Sequence, residues 1–108
     1  MTEDFLRTVS ALNDETRVLI LRFFLEHGDL CVCDLQESLG MIQSRLSRHL
    51  KILKEGGFLR VRREGRWAHY GLRSPLDRFR LAALEEIKHL QIDLPPLKKL
   101  SEKGSCQI

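Results

Sequence analysis

The sequence predicts a mainly α-helical domain that carries one β-hairpin, with the elements in the order ααααββα. Two patterns predict this fold class: apolar residues recur at helical spacing over most of the chain, and one short region alternates in the manner of paired strands. A chain of 108 residues, 43% of them hydrophobic, is large enough for one modest core. We therefore expect a single domain over residues 1–96, followed by a flexible C-terminal tail over residues 97–108.

The first two predicted helices supply the start of this core. A short amphipathic helix begins near Phe5 and ends at Asn13 and Asp14. One of these two residues then caps a second helix, which ends at His27-Gly28. The second helix is apolar on almost every side, so we expect it at the centre of the core. Its apolar residues are Val18, Leu19, Ile20, Leu21, Phe23, Phe24 and Leu25.

Two further helices follow at short intervals. Asp29 is a suitable N-cap for a third, short helix that ends at Gly40. A fourth helix runs from about Gln43 to Glu55 and ends at Gly56-Gly57. Two short helices joined by a tight turn are typical of the helix-turn-helix motif.

The hairpin and a last helix complete the domain. Residues 58–63 and 66–72 alternate like two strands around Glu64-Gly65, which is a turn sequence. Pro75 is expected to open the last helix, and Pro95-Pro96 to stop it. A helix-turn-helix followed by a basic hairpin is the arrangement of a winged helix-turn-helix.

The distribution of charge indicates a nucleic-acid partner. Residues 43–73 hold 9 basic and 2 acidic side chains, a net charge of +7, whereas residues 1–42 hold 3 and 8. Clustered positive charge favours binding to a polyanion, because each neutralised phosphate releases condensed counterions. A solvated basic face would show the same charge, so the helix pattern has to decide between the two.

The fourth helix separates into a packing face and a polar face. At about 100° per residue, Leu46, Leu50 and Leu53 fall together, with His49 at their edge in a structural position. Arginine and glutamine on the opposite face suit guanine and adenine edges, and the hairpin tip suits phosphates. The predicted DNA contacts are Gln43, Ser44, Arg45, Ser47, Arg48 and Lys51 on the helix, and Arg62, Arg63 and Arg66 on the hairpin.

Cys31 and Cys33 form a candidate site for a thiol-loving ion. Two thiols near a helix start favour the thiolates that trivalent arsenic or antimony, lead and cadmium bind. On an ideal helix the two side chains would lie about 200° apart, so one ion would have to unwind or tilt the first turn. The alternative is a pair of small core cysteines without a ligand.

These motifs resemble those of the ArsR/SmtB family of metal-responsive repressors. The resemblance covers roughly residues 5–92 and rests on LNDETR from Leu12 to Arg17, LSRHLKILKEGGFL from Leu46 to Leu59, and RREGRWAHY from Arg62 to Tyr70. The segment Leu30–Leu35, LCVCDL, is similar to the metal-binding box of the arsenite- and antimonite-responsive members. The resemblance implies a homodimeric repressor that binds an inverted-repeat operator and leaves it when the metalloid binds, derepressing a resistance operon.

Three positions depart from the family pattern. A third cysteine is common shortly after the pair, but Gln36 stands there, so we expect any third thiol to come from elsewhere, with Cys106 as the candidate. Ile42 replaces the usual serine or threonine cap of the recognition helix, so capping shifts to Gln43 or Ser44. Glu15 replaces a proline early in the second helix.

Other functions remain open at this stage. Glu85, His89 and Asp93 are spaced i, i+4, i+8 on the last helix, where some family members bind zinc or related ions. Sensing of cadmium, lead or zinc, and thiol redox sensing, are alternatives within the same fold. A thiol enzyme or metal chaperone is disfavoured, because it would commonly carry C-x-x-C next to a strand. We expect no enzyme, no permanent cofactor, no membrane segment and a cytoplasmic location.

Overall fold

The computed structural model describes residues 2–99, which form five helices and a three-stranded antiparallel sheet. The winged helix-turn-helix prediction is confirmed, with one short strand added between the second and third helices. The elements are α1 (Thr2–Leu12), α2 (Glu15–His27), β1 (Leu30–Cys31), α3 (Val32–Leu39), α4 (Gln43–Glu55), β2 (Leu59–Glu64), β3 (Trp67–Leu72) and α5 (Arg78–His89).

Helix α2 is the centre of the core, as its composition predicts. Ile20, Leu21, Phe23 and Phe24 are all at most 1% exposed, and each contributes about 1.5 to 3 kcal/mol through burial. The helix begins at the expected N-cap, since an Asp14 carboxylate oxygen accepts a hydrogen bond from the Arg17 backbone N–H at 3.1 Å. It ends at Gly28, whose positive φ of 77° favours glycine.

Helix α4 has the predicted bounds, Gln43–Glu55. Its buried stripe consists of Leu46, His49, Leu50 and Leu53, so the division into a packing face and an exposed face is confirmed. The N-cap is Ile42, whose side chain makes no capping hydrogen bond. The expected shift of the cap to Gln43 or Ser44 is therefore wrong. The side chain of Ile42 is 69% exposed, and this leaves an apolar group at the amino end of the helix.

The chain around Asp29 differs from the prediction of a helix N-cap. Leu30 and Cys31 form strand β1, which pairs antiparallel with β3 so that Leu30 lies opposite Tyr70 and Cys31 opposite His69. The Asp29 carboxylate instead accepts a hydrogen bond from the Arg60 guanidinium at 2.8 Å. Helix α3 consequently begins at Val32, with Cys31 as its N-cap.

The hairpin turn lies one residue later than expected. Glu64 pairs with Trp67, so the two turn residues are Gly65 and Arg66 rather than Glu64 and Gly65. Gly65 has a φ of 60°, which side chains rarely tolerate and which places glycine at the first turn position. The strands β2 and β3 otherwise follow the predicted alternation.

Helix α5 is shorter at both ends than predicted. Asp77, not Pro75, is its N-cap, because an Asp77 carboxylate oxygen accepts from the Arg80 backbone N–H at 3.2 Å. The helix ends at His89, well before Pro95.

The chain after α5 lies along the core. The Arg22 guanidinium donates to the carbonyl oxygens of Ile87 and Leu90 at 3.0 and 2.7 Å. Farther on, the Lys98 backbone N–H donates to Ser38 Oγ at 2.7 Å. The first residues of the predicted tail thus contact α3, and the remainder of the tail lies outside the described residues. Within residues 2–99, no helix is long and apolar enough to span a membrane.

Candidate DNA-binding surface and thiol site

The predicted contacts on α4 all lie on its exposed face. The buried stripe fixes the orientation of the helix, and the remaining positions therefore point into solvent. These exposed residues are Gln43, Ser44, Arg45, Ser47, Arg48 and Lys51. They form a polar and basic face a little over two turns long, and an exposed face of this kind can enter a major groove.

Arg17 joins α4 to the first two helices. Its Nη1 donates to His49 Nδ1 at 3.2 Å, while Nε and Nη2 donate to the carbonyl oxygens of Ala11 and Ser10 at 2.9 and 3.2 Å. These carbonyls belong to the end of α1, where intrahelical partners are lacking. The arginine therefore satisfies the helix end and holds the middle of α4 through one side chain.

His49 is a structural histidine, as expected from its position at the edge of the packing face. It is 5% exposed, and burial lowers its pKa, an effect that Asp14 opposes and Arg17 reinforces. Because the Arg17 guanidinium can only donate, the Nδ1 atom of His49 must accept. The imidazole is therefore neutral in the folded protein, with its proton on Nε2.

The carboxyl end of α4 is fixed by a second arginine, on α5. Arg80 donates through Nε to the Gly56 carbonyl oxygen at 2.9 Å and through Nη2 to Thr8 Oγ1 at 2.7 Å. The guanidinium also lies 5.8 Å from the centre of the Phe58 ring. Helix α4 is thus anchored in its middle by Arg17 and at its end by Arg80.

The wing is the hairpin formed by β2 and β3, residues 59–72, and it presents the three predicted arginines to solvent. Arg62, Arg63 and Arg66 are all exposed. Arg62 forms an ion pair with Glu64 at 2.9 Å, on the same face of β2. Because successive residues of a strand alternate between faces, Arg63 points to the other face. The three positive charges therefore surround the tip of the hairpin.

The sulfur atoms of Cys31 and Cys33 lie side by side, which contradicts the expectation that the two side chains point to opposite sides of a helix. Cys31 Sγ and Cys33 Sγ are 3.1 Å apart. The reason is that Cys31 is the N-cap and has extended backbone torsions, φ −69° and ψ 146°, so the angular spacing of a helix does not apply to it. No unwinding of the first turn is needed to bring the sulfurs together.

Burial changes the expected acidity of Cys31. Cys31 is 1% exposed and Cys33 is 6% exposed. Burial raises the pKa of the Cys31 thiol, the backbone hydrogen bond from Cys33 opposes this rise, and the nearby Asp34 charge adds to it. The predicted lowering of the thiol pKa at a helix start is therefore wrong for Cys31, since removal from water outweighs the helix end.

The sheet supplies the surroundings of the thiols. Cys31 and Cys33 form a small cluster against which the partly buried Trp67 of β3 packs. His69 lies opposite Cys31 in the strand pairing. Within residues 2–99 no group of three or more His, Cys, Asp or Glu side chains is arranged to hold a metal ion. Cys106, the predicted third thiol, lies outside the described residues.

The alternative site on the last helix is not assembled as its spacing suggests. Glu85 and His89 are neighbours, with an oxygen-to-nitrogen distance of 3.4 Å. Asp93 is not on their helical face, because α5 ends at His89. Instead, Asp93 lines a groove with Glu15 at the start of α2.

Sequence reasoning missed the roles of three residues around these sites. It assigned none to Arg17 or Arg80, because their partners are main-chain carbonyls and side chains that only the fold brings near. Trp67 packs against Cys31 and Cys33, and this contact depends on the pairing of β1 with β3. The alternation of residues 66–72 carries no signal for that pairing.

Comparison with known proteins agrees with this geometry. The sequence pattern described as "Bacterial regulatory protein, arsR family" matches residues 14–61, from the N-cap of α2 into β2. An HTH-type transcriptional regulator of Methanocaldococcus jannaschii is 42% identical over 60 residues, which are 56% of this chain and 67% of that protein. The chain belongs to the ArsR family.

Curated relatives of this ArsR-family chain include metalloid regulators. The arsenical resistance operon repressor of Escherichia coli (strain K12) is 49% identical over 61 residues, which are 56% of this chain and 52% of that protein. The alignment thus spans about half the length of that repressor. The relatives are regulators of transcription, which agrees with the expectation that the chain is not an enzyme.

Solved structures of ArsR-like proteins confirm the fold. HlyU from Vibrio cholerae N16961 has a TM-score of 0.67 and 29% identity, over 80% of this chain and 89% of that chain. The AntR antimony-specific transcriptional repressor has a TM-score of 0.63 and 29% identity, over 79% and 74% of the two chains.

Proposed function

We propose that this ArsR-family chain is a homodimeric transcriptional repressor that leaves its operator when trivalent arsenic or antimony binds Cys31 and Cys33. The release would derepress a metalloid-resistance operon. The observation that carries the proposal is the pair of buried sulfurs 3.1 Å apart, at the junction of helix α3 and strand β1, which pairs with strand β3 of the basic wing. The named arsenical and antimony repressors among its relatives support the choice of inducer.

The distance between the sulfurs suits a chelated ion. Two bonds of about 2.3 Å that meet at an angle of roughly 90 to 110° span about 3.3 to 3.8 Å. The observed 3.1 Å is within a few tenths of an ångström of the lower value. Little rearrangement of the two side chains is therefore needed, although the ion itself requires space between their neighbours.

Dimerisation is supported by an apolar surface on α1 and α5. The Phe5 and Phe79 ring centroids are 5.3 Å apart, so the two helices lie side by side. Around them, Leu6 and Leu81 are 57% and 54% exposed. A second copy of the chain would cover this surface and place two α4 helices about 34 Å apart, one turn of DNA. Sedimentation at micromolar concentration tests this, and a monomer that still binds DNA specifically would contradict it.

The decisive experiment measures operator release by several ions in parallel. DNA selected by the protein from a random library is labelled, and its dissociation is followed by fluorescence anisotropy during titration with arsenite, antimonite, cadmium, lead and zinc. We expect release at the lowest concentrations with arsenite or antimonite. Release by cadmium, lead or zinc alone would contradict the metalloid assignment and leave the thiol site as a sensor of another ion.

Cysteine variants test the site itself. Cys31→Ser and Cys33→Ser should each bind the selected DNA with nearly wild-type affinity, because neither residue lies on the exposed face of α4. Both should lose release by arsenite, since induction through this site needs both thiolates of the pair. Normal release of either variant would refute the assignment of the pair.

Cys106 is proposed as a third ligand, because trivalent arsenic favours three sulfurs and Gln36 cannot supply one. A tethered thiol adds affinity through its effective concentration without being essential. Cys106→Ser should weaken the arsenite response by about tenfold or less, roughly 1.4 kcal/mol. X-ray absorption of the arsenic complex should show three sulfurs in the wild type and two in the variant. Two sulfurs in both proteins would exclude Cys106.

A further inference from the structure

Trp67 belongs to the wing and contacts the cysteine pair. It is the chain's only tryptophan, and its partly buried side chain packs against Cys31 and Cys33. It is also the first residue of β3, paired with Glu64 at the end of β2, immediately after the turn of the hairpin. The side chain of Trp67 therefore contacts the cysteine pair, while the backbone of the same residue pairs with Glu64 at the tip of the wing.

The pairing of the strands explains this contact. Cys31 lies opposite His69, and Trp67 is two residues before His69 on the same strand. Side chains two residues apart point to the same face, so Trp67 and His69 share the face of the sheet that Cys31 occupies. The short strand β1 thus joins the thiol pair directly to the strand that forms one side of the wing.

An ion bound by the pair requires room that the packed cluster does not provide. Bonds of about 2.3 Å to both sulfurs place the ion roughly 1.5 to 2 Å off the line between them, and a third ligand extends farther. The residues Cys31 and Cys33 are 1% and 6% exposed, and protein interiors leave few voids large enough for an ion. A neighbouring side chain therefore has to move when an ion binds.

We propose that Trp67 is the residue that moves, and that it couples the thiol pair to the wing. This inference rests on the proposed binding of an inducer by Cys31 and Cys33. Displacement of the indole separates the first residue of β3 from Glu64 and changes the positions of Arg62 and Arg66 at the tip. The wing then loses its phosphate contacts, in addition to any movement that α3 passes to α4.

Two measurements on the wild-type protein test the movement. Arsenite should change the fluorescence of Trp67, and it should leave the fluorescence of Cys31→Ser and Cys33→Ser unchanged. Hydrogen exchange with mass spectrometry should show faster exchange in residues 59–72 when arsenite is bound. If arsenite binds but changes exchange only in α3 and α4, the wing is not coupled and the inference is wrong.

Variants of Trp67 test the coupling. The readout is the ratio of operator affinities without and with arsenite, together with arsenite binding by equilibrium dialysis. Trp67→Leu should bind arsenite but reduce the release ratio at least fivefold, and Trp67→Phe should reduce it less. Tyr70→Phe, on the core-facing side of the same strand, is the matched control and should keep the wild-type ratio.

The outcomes separate this inference from the proposed function. If wild-type protein neither binds arsenite through its thiols nor releases DNA, the proposed function fails and the inference fails with it. If the wild type binds and releases but both Trp67 variants release with the wild-type ratio, only the coupling through Trp67 is refuted. If Trp67→Leu does not fold, the hydrogen-exchange result and Trp67→Phe still decide.

Discussion

Replacing Arg48 should affect DNA recognition differently from replacing Arg63 or Arg66. All three side chains are exposed, but Arg48 lies on the helix expected in the major groove, whereas the other two lie at the wing. A bidentate contact between arginine and guanine discriminates between bases by about 1 to 3 kcal/mol. Arg48→Ala should therefore cost about 1 to 3 kcal/mol at each half-site, a factor of roughly 5 to 150, and relax the base preference there.

The wing arginines should instead control the dependence on salt. Each lost phosphate contact lowers the slope of log affinity against log salt by about 0.9. A dimer loses two contacts per substitution, so Arg63→Ala and Arg66→Ala should each flatten the slope by about 1.8. Arg62→Ala should have a smaller effect, because Arg62 is paired with Glu64 at 2.9 Å and must leave that pair to reach a phosphate.

Fluorescence anisotropy with selected and random DNA at several salt concentrations measures both quantities. Arg48→Ala should reduce the ratio of specific to random affinity, and Arg66→Ala should leave that ratio nearly constant. If Arg48→Ala weakens both DNAs by the same factor, it contacts the backbone and the assigned role is wrong. If Arg62→Ala flattens the salt slope as much as Arg63→Ala, its pair with Glu64 does not limit phosphate binding.

Two further predictions concern stability, measured by urea unfolding. Arg80→Met should lower the free energy of unfolding by about 2 to 4 kcal/mol, because it removes charged hydrogen bonds to Gly56 and to Thr8, which is 3% exposed. The exposed Arg78→Met on the same helix is the control, and a loss below about 1 kcal/mol for Arg80→Met would contradict the anchoring role. The folded-state pKa of His49 lies below its ordinary value of 6.5, so the unfolded chain takes up a proton first and stability should fall as pH decreases through about 6.5. His49→Gln should remove part of this pH dependence between pH 7 and 5, and an unchanged slope would show that His49 is not its source.

The elements with strong local patterns could be predicted from the sequence. Helix α4 has the expected bounds because four buried positions repeat at helical spacing and Gly56-Gly57 follows. The six predicted DNA contacts on α4 are exposed for the same reason: once the packing face of the helix is known, the opposite face is determined. Charge and periodicity are local properties of the chain, and these sites depend on little else.

The thiol site depends on a contact that the local pattern does not encode. Strand β1 has only two residues, too few for an alternation, and its partner is the distant strand β3. Asp29 fits the local sequence pattern of an N-cap, but its carboxylate accepts a hydrogen bond from the Arg60 guanidinium instead. The helix consequently starts at Val32, so Cys31 lies outside it. The sulfur atoms of Cys31 and Cys33 are therefore adjacent instead of on opposite sides of one helix.

The last helix shows a different kind of error. Pro75 is predicted to open the helix because proline is a common first residue of helices, but the N-cap is Asp77, and aspartate is among the strongest N-caps. At the other end, the prolines after Leu94 predict the stop, whereas the helix ends at His89. The spacing of Glu85, His89 and Asp93 places the three side chains on one face only if the helix continues to Asp93. Because the helix ends at His89, the predicted three-residue site is not formed.

The position of the cysteine pair separates the proposed sensing site from the helix predicted to bind DNA. The buried stripe of α4 is held by Arg17 and Arg80, and neither arginine contacts Cys31 or Cys33 in the described structure. The recognition helix therefore does not need the thiols in order to be correctly placed. The wing, by contrast, shares strand β3 with the thiol cluster. Under the proposed function, an ion at the pair perturbs first the wing, whose predicted phosphate contacts supply affinity for all sequences. Its binding then releases DNA without any change in the residues proposed to read bases.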